Sequence, residues 1–284
     1  MKKSFFYIIV FFALQVFALA VAWAGNLLVN GAGSPLTVVW MLIMQAVFTL
    51  SCIGVFLWRR WTPVAMLGIT WRKHDTPDKQ RHGRQAVGAL LAWAVVAALG
   101  TIVPSMWVQE QLTFLPDWAS KDMMTLIMHP LGYLVIGILA PVSEEIIFRG
   151  AILRELLRWF HERSTHSSPQ TPHTYSSWLA ISLSALLFAV AHCNPAQMPH
   201  AFLLGLLLGW LCWRSGSILP GILVHVTNNT VAFLLARSYP FMDDLTLQQL
   251  LGGSNAHVLQ AIACSLCILL PALNQLQRLL PHRQ

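Results

Sequence analysis

Long apolar runs, separated by short polar stretches, dominate the chain. A helix needs about 20 predominantly apolar residues to cross the hydrocarbon core of a bilayer. Runs of that kind lie near residues 4–24, 36–58, 86–108, 125–148, 177–193, 200–213, 218–236 and 257–273. The fifth and sixth are short. Cys193-Asn194-Pro195 separates them, with Pro199 just beyond, so the chain is expected to break near a membrane face there. The pattern predicts an all-α, polytopic transmembrane helical bundle of about eight spans, with no internal repeat and no soluble domain.

Composition agrees with that reading. Of 284 residues, 56% are hydrophobic and 10% charged, with a mean hydropathy of +0.60. A soluble domain carries roughly 25% charged residues, so a globular domain in water, a disordered chain and a free nucleic-acid binder are all poor fits. The five cysteines, Cys52, Cys193, Cys212, Cys264 and Cys267, sit mostly in apolar runs and make no disulfide framework. Cys264-x-x-Cys267 is expected to pack in a helical core. The net charge of +7 reflects where the basic residues fall. With the N-terminus inside, all of the 18 Lys and Arg except Lys121 and Arg237 lie on inner segments. This split places both termini in the cytoplasm and predicts a multi-pass protein of a bacterial inner membrane. Lys2-Lys3, the first apolar run and Ala22-Trp23-Ala24 resemble a signal peptide, but the run is long for one and is read as an uncleaved anchor. Two inner loops stand out, a basic one at 59–85 and a Ser/Thr/Pro/His-rich one at 164–174. Gly205-x-x-x-Gly209 suits close helix packing.

Ionisable side chains are costly inside a bilayer, so each one is a functional candidate. Here they cluster. Glu144, Glu145 and Arg149 lie in and just beyond the fourth run, His192 ends the fifth, and His225 lies within the seventh with Asn229 four residues on. Residues four apart share a helix face. Glu145 and Arg149 are therefore expected to pair. Glu144, turned about 100° away on a 3.6-residue helix, lacks that partner and suits a general base. His225 and Asn229 can project into one cavity, and Phe188 can pack beside His192. His129, His200 and His257 are read as interfacial, and His161, His166 and His173 as solvated.

Glu144-Glu145-x-x-x-Arg149, Phe188-x-x-x-His192 and His225-x-x-x-Asn229, in this order on separate spans, resemble the CPBP family of intramembrane endopeptidases (CAAX protease and bacteriocin-processing, or Abi). The resemblance implies a CAAX-protease-like catalytic core at 125–240. It would follow N-terminal helices and a basic loop at 1–124, and precede a C-terminal helix and tail at 241–284. It also implies roles. Glu144 would activate water and His192 would help bind or deprotonate it. His225 and Asn229 would bind the oxyanion, and Glu145 with Arg149 would hold the helix.

Two hydrolytic designs fit these residues. In the first, preferred one, Glu144 and His192 activate water without a metal. In the second, Glu144, His192 and His225 bind Zn2+, a set that leaves a position open for water. The usual His-Glu-x-x-His of zinc proteases is absent. Expected partners are the lipid bilayer and a membrane-anchored or membrane-embedded peptide or protein, with no nucleic acid. Two other functions share these residues: a catalytically silent bacteriocin-immunity or peptide-binding protein of the same fold, and a proton-coupled transporter.

The eight-span drawing contains a tension of depth. It puts Glu144 near the inner face, His225 about two turns from it, and His192 at the far end of its span. Either the fifth helix tilts, starts deeper or is shorter, or the fourth helix starts near Pro130 and runs on to about Arg163, leaving Glu144 deeper.

Overall fold

The computed structural model describes residues 2–31, 36–58, 77–167, 173–239 and 245–280, and every described element is helical. Most of the basic stretch 59–85, the middle of the polar stretch 164–174 and the acidic pair Asp243-Asp244 lie outside these residues. The chain forms α1 (Lys2–Asn30), α2 (Val38–Trp58), α3 (Pro77–Glu110) and the short α4 (Ser120–Met128). A central column follows: the π-helical segment Leu134–Leu139, α5 (Ala140–Ile147), a second π-helical segment Phe148–Leu153, and α6 (Arg154–Ser167). Then come α7 (His173–Ala191), α8 (Met198–Ser215), α9 (Leu219–Ser238), the one-turn α10 (Leu247–Leu250) and α11 (Asn255–Leu279).

The fold is an all-α membrane bundle. Among the described residues, five helices are long and apolar enough to cross a bilayer: Phe6–Asn30, Val38–Val55, Ala86–Glu110, Leu219–Ser238 and Asn255–Leu279. The sequence reading counted about eight. The difference has a physical origin. Three runs fall out of the count: the fourth is divided among π- and α-helical pieces and carries Glu144, Glu145 and Arg149, the fifth supplies only a shorter apolar stretch, Tyr175–Ala191 of α7, and the sixth lies on the short α8.

The central column follows one of the courses drawn from the sequence for the fourth helix. Helical conformation is unbroken from residue 132 to residue 167. At 1.5 Å per residue this is roughly 50 Å, well beyond a hydrocarbon core of about 30 Å. The helix therefore starts just after Pro130 and runs past Arg163, with Glu144 about three turns from its start. Its start is a tight reversal after α4. Gly132 N donates to the His129 carbonyl at 2.9 Å, and Leu131 N donates to His129 Nδ1 at 3.2 Å. A Cβ on residue 132 would collide with the Leu126 carbonyl, so only glycine fits.

Two apolar cores flank the column. One gathers Phe11 of α1, Phe48 and Cys52 of α2, and Ile147, Phe148, Ile152 and Leu156 of the column with Ile181 and Phe188 of α7. The other joins Ala94, Ala97 and Ala98 of α3, Leu204, Leu208 and Leu211 of α8, Val224 of α9, and Ala272 and Leu276 of α11. Small residues set the spacing. A Cβ at Gly209 would lie 2.9 Å from Ile181 Cγ2, and one at Gly205 would lie 3.1 Å from the Ala185 Cα. The Gly205-x-x-x-Gly209 face thus lets α8 lie close against α7, as its spacing implies. Cys264 and Cys267 differ from expectation. Both are exposed on the outer face of α11, where Leu266, Ile268 and Leu270 are exposed too. Apolar residues of this helix fall on both its exposed and its buried sides, so hydrophobicity does not tell which side meets protein.

Candidate active site

The two π-helical segments bracket the Glu144-Glu145 pair. A π-turn accommodates one extra residue and leaves carbonyls short of their usual helical donors. Side chains from neighbouring elements fill these positions. Thr49 Oγ1 and Ser143 Oγ donate to the Leu139 carbonyl, and Asn229 Nδ2 donates to the Ile136 carbonyl at 3.0 Å. At the second π-segment, Ser184 Oγ donates to the Phe148 carbonyl and Cys212 Sγ reaches the Arg149 carbonyl. The column is thereby tied to α2, α7, α8 and α9 at the height of the acidic pair.

Glu145 and Arg149 form a buried ion pair. Arg149 Nη1 donates to Glu145 Oε1 at 2.8 Å, and both side chains are fully enclosed. Arg149 also donates through Nη2 to the Gly205 carbonyl at 3.3 Å, and its guanidinium lies 4.3 Å over the Phe188 ring. The absence of a side chain at Gly221 admits the carboxylate, because a Cβ there would sit 3.0 Å from Glu145 Oε2. That oxygen and Arg149 Nε are buried without a hydrogen-bond partner.

His225, on α9, stands between the two carboxylates. Its Nδ1 lies 3.1 Å from Glu145 Oε1, and its Nε2 lies 3.7 Å from Glu144 Oε2. Glu145 is held as a carboxylate by Arg149 and can only accept, so Nδ1 carries the proton and donates. Nε2 is then the nitrogen presented to Glu144. Glu144 is the accessible member of the pair, with 22% of its side chain exposed against none for Glu145.

His192 follows the end of α7. Its Nδ1 donates to the Phe188 carbonyl at 2.9 Å. A carbonyl oxygen has no proton to give, so this bond fixes the Nδ1–H tautomer and leaves the Nε2 lone pair free. Phe188 is the hub between the imidazoles. Its buried ring meets His192 edge-on at 4.8 Å and His225 edge-on at 5.7 Å between centroids. The turn after His192 is pinned from outside. Asn194 Nδ2 donates to Asp117 Oδ1, Trp118 N donates to Asn194 Oδ1, and Cys193 takes a positive φ of 51°.

Sequence reasoning missed His200 here, and it weighed Asn228 only as an alternative to Asn229. His200, read as interfacial, lies in the first turn of α8, and its Nε2 is 3.3 Å from Asn228 Nδ2. Asn228 is buried and also reaches Asn229 Oδ1 at 3.5 Å. Nothing in helical spacing links His200 to α9, because the two residues meet across helices. A histidine just beyond Pro199, entering an apolar run, was the only available signal.

By donor type, Glu144, His192 and His225 suit a divalent cation. Their placement does not fit one: among the described residues, no three His, Cys, Asp or Glu side chains come together closely enough to hold a metal ion. His225 Nδ1 and His192 Nδ1 are already engaged. A cavity of about 450 Å3 lies elsewhere, lined by Pro130, Tyr133, Thr230, Phe233, Leu234 and Arg237, and contains none of these residues.

Membrane-length apolar helices around an enclosed cluster of carboxylates and imidazoles define an integral membrane protein with a reactive polar site inside its bundle. Residues 127–231, which include every site residue from Glu144 to Asn229, match the family model described as type II CAAX prenyl endopeptidase Rce1-like. This segment is thus similar to the CAAX-type prenyl endopeptidases over a little more than a third of the chain. A protein of Escherichia coli, described as an uncharacterized 24.3 kDa protein, is 33% identical over 107 residues, which is 37% of this chain and 43% of that protein. The chain thus matches less than half of that relative's length. No solved structure matches the chain at a significant level.

Proposed function

We propose that this chain is an intramembrane endopeptidase of the glutamate type, which hydrolyses a peptide bond of a membrane-anchored or membrane-embedded substrate. The observation that carries the reading is His225 bridging two carboxylates of unequal exposure, one paired and enclosed, the other accessible.

In this mechanism a water lies between Glu144 and His192. It gives one hydrogen bond to Glu144 and the other to the His192 Nε2 lone pair. Glu144 takes the proton as the water oxygen attacks the scissile carbonyl carbon. The carbonyl oxygen becomes an oxyanion and is met by His225 in its imidazolium form, which donates from Nε2 while its Nδ1–H stays on Glu145, and by the Asn229 N–H not used on Ile136. As the C–N bond breaks, Glu144 returns the proton to the leaving amine. Glu145 holds the His225 ring in register through Nδ1, and Arg149 holds Glu145. The bilayer and its peptide are the partners in this reading, the compartment is a bacterial inner membrane, and both termini are cytoplasmic.

The test is hydrolysis of an internally quenched, farnesylated CAAX peptide by the protein in phosphatidylethanolamine/phosphatidylglycerol vesicles. Wild type cleaves it and Glu144→Gln does not, at equal folded protein. Unchanged turnover in Glu144→Gln removes Glu144 as the base. A wild-type protein that cleaves neither this peptide nor any native membrane protein, by N-terminal proteomics of cells with and without it, overturns the hydrolase reading.

A further inference from the structure

His200 belongs to neither carboxylate and to none of the three signature strings, yet it closes a hydrogen-bonded chain that ends at Asn229. The direction of that chain can be read from the backbone outward. The Ile136 carbonyl can only accept, so Asn229 must turn its Nδ2 toward it. Asn229 Oδ1 is then directed the other way, and it accepts from Asn228 Nδ2 at 3.5 Å. The second N–H of Asn228 points at His200 Nε2, 3.3 Å away. Each link dictates the next, and the last requires a lone pair on His200 Nε2, with the ring proton on Nδ1.

This arrangement divides labour between adjacent amides. Both N–H bonds of Asn228 are committed, one to His200 and one to Asn229. Asn229 commits only one, to Ile136, and keeps its other N–H for an incoming oxygen. An amide held on both sides cannot rotate, and a donor that does not reorganise is worth most to a developing oxyanion.

We propose that His200 is a positioning residue: as an Nδ1–H imidazole it accepts from Asn228 and locks the amide pair so that Asn229 presents its free N–H to the reacting carbonyl. The assignment rests on the endopeptidase reading for its consequence, not for its geometry. His200 touches no substrate atom. It acts through Asn228, so its loss lowers kcat and leaves KM in place.

Three variants test it with the farnesylated peptide in vesicles. His200→Leu removes the acceptor at similar volume, and kcat falls about tenfold to a hundredfold with KM unchanged, the scale on which small misplacement acts. His200→Gln puts an amide oxygen near the former Nε2 and restores kcat to within a few-fold of wild type, with roughly that range as the margin. In His200→Leu/Asn228→Leu the loss is no larger than in the worse single variant, because both residues serve one relay. A separate readout is the ring itself. In nitrogen-15 histidine spectra of the reconstituted protein, His200 is the Nδ1–H tautomer, and in Asn228→Leu it is not.

Full kcat in His200→Leu, equal damage in His200→Gln and His200→Leu, or a change confined to KM each overturns the proposal. So does an Nε2–H tautomer in the wild type. A wild type that cleaves no probe but shows the Nδ1–H tautomer, lost in Asn228→Leu, fails the endopeptidase reading while upholding the relay; the reverse pattern fails the relay alone.

Discussion

Arg149 offers the sharpest test of how the site is held together. It is fully buried, pairs with Glu145 Oε1 at 2.8 Å, donates to the Gly205 carbonyl and lies over Phe188. Arg149→Met removes all three contacts and strands the Glu145 carboxylate in an apolar interior. Breaking a buried pair by removing one partner costs about 3–5 kcal/mol, most of it from the charge left behind. The double variant Glu145→Leu/Arg149→Met removes that charge too, and replacing a buried pair by apolar groups of similar volume is commonly near neutral. Reversible unfolding in mixed micelles should therefore show Arg149→Met well below wild type and the double variant recovering most of the difference. Activity should not recover with it. Glu145 Oε1 also receives His225 Nδ1–H at 3.1 Å, and leucine cannot. The double variant is expected to be folded and slow. If it turns over the farnesylated peptide as fast as wild type, Glu145 serves Arg149 alone and the orientation of His225 has another source. If Arg149→Met is as stable as wild type, the buried pair carries no such cost.

Further outcomes follow from the same geometry. Glu144→Gln should lower kcat by about 10²–10⁴, the usual worth of a positioned base, without moving the unfolding midpoint, since Glu144 is half-open and makes no ion pair with Arg149. His192→Ala should cost activity while His192→Gln, which keeps an acceptor near Nε2, retains part of it; equal rates in the two variants refute the lone-pair role. Gly209→Val should destabilise by about 1–3 kcal/mol through overpacking, because the first added carbon already meets Ile181 Cγ2 at 2.9 Å, and Ile181→Ala should relieve it in unfolding assays. Activity should survive 1,10-phenanthroline and EDTA after detergent extraction; loss restored by added Zn2+ would revive the metal design.

Much of the bundle and of the polar cluster was legible along the chain because helical spacing is a strong local rule. It puts Glu145 with Arg149, Phe188 with His192 and His225 with Asn229, one helix at a time. It says nothing about which faces of different helices meet. The contact of His225 with Glu145, the His200–Asn228 link and the Arg149–Gly205 bond are all of this second kind. The exposure of Cys264 and Cys267 escaped for a related reason: in a lipid-facing helix, hydrophobicity marks neither inside nor outside. The course of the fourth helix is one that the sequence leaves open between two alternatives. What decides it is where the fourth helix begins, and that depends on the close approach of Gly132 to Leu126, a steric fact between residues too near in sequence to leave a periodic signature.

The π-helical stretches at Leu134–Leu139 and Phe148–Leu153 make the motif an incomplete description of the site. Each amounts to an inserted residue that re-phases everything downstream by roughly 100° about the axis. Excising a single residue from the first stretch would leave all three signature strings spelled as they are. It would also turn the first stretch into ordinary α-helix and swing Glu144 out of line with His225. Two chains can therefore share every diagnostic letter and still differ in whether those letters face one another.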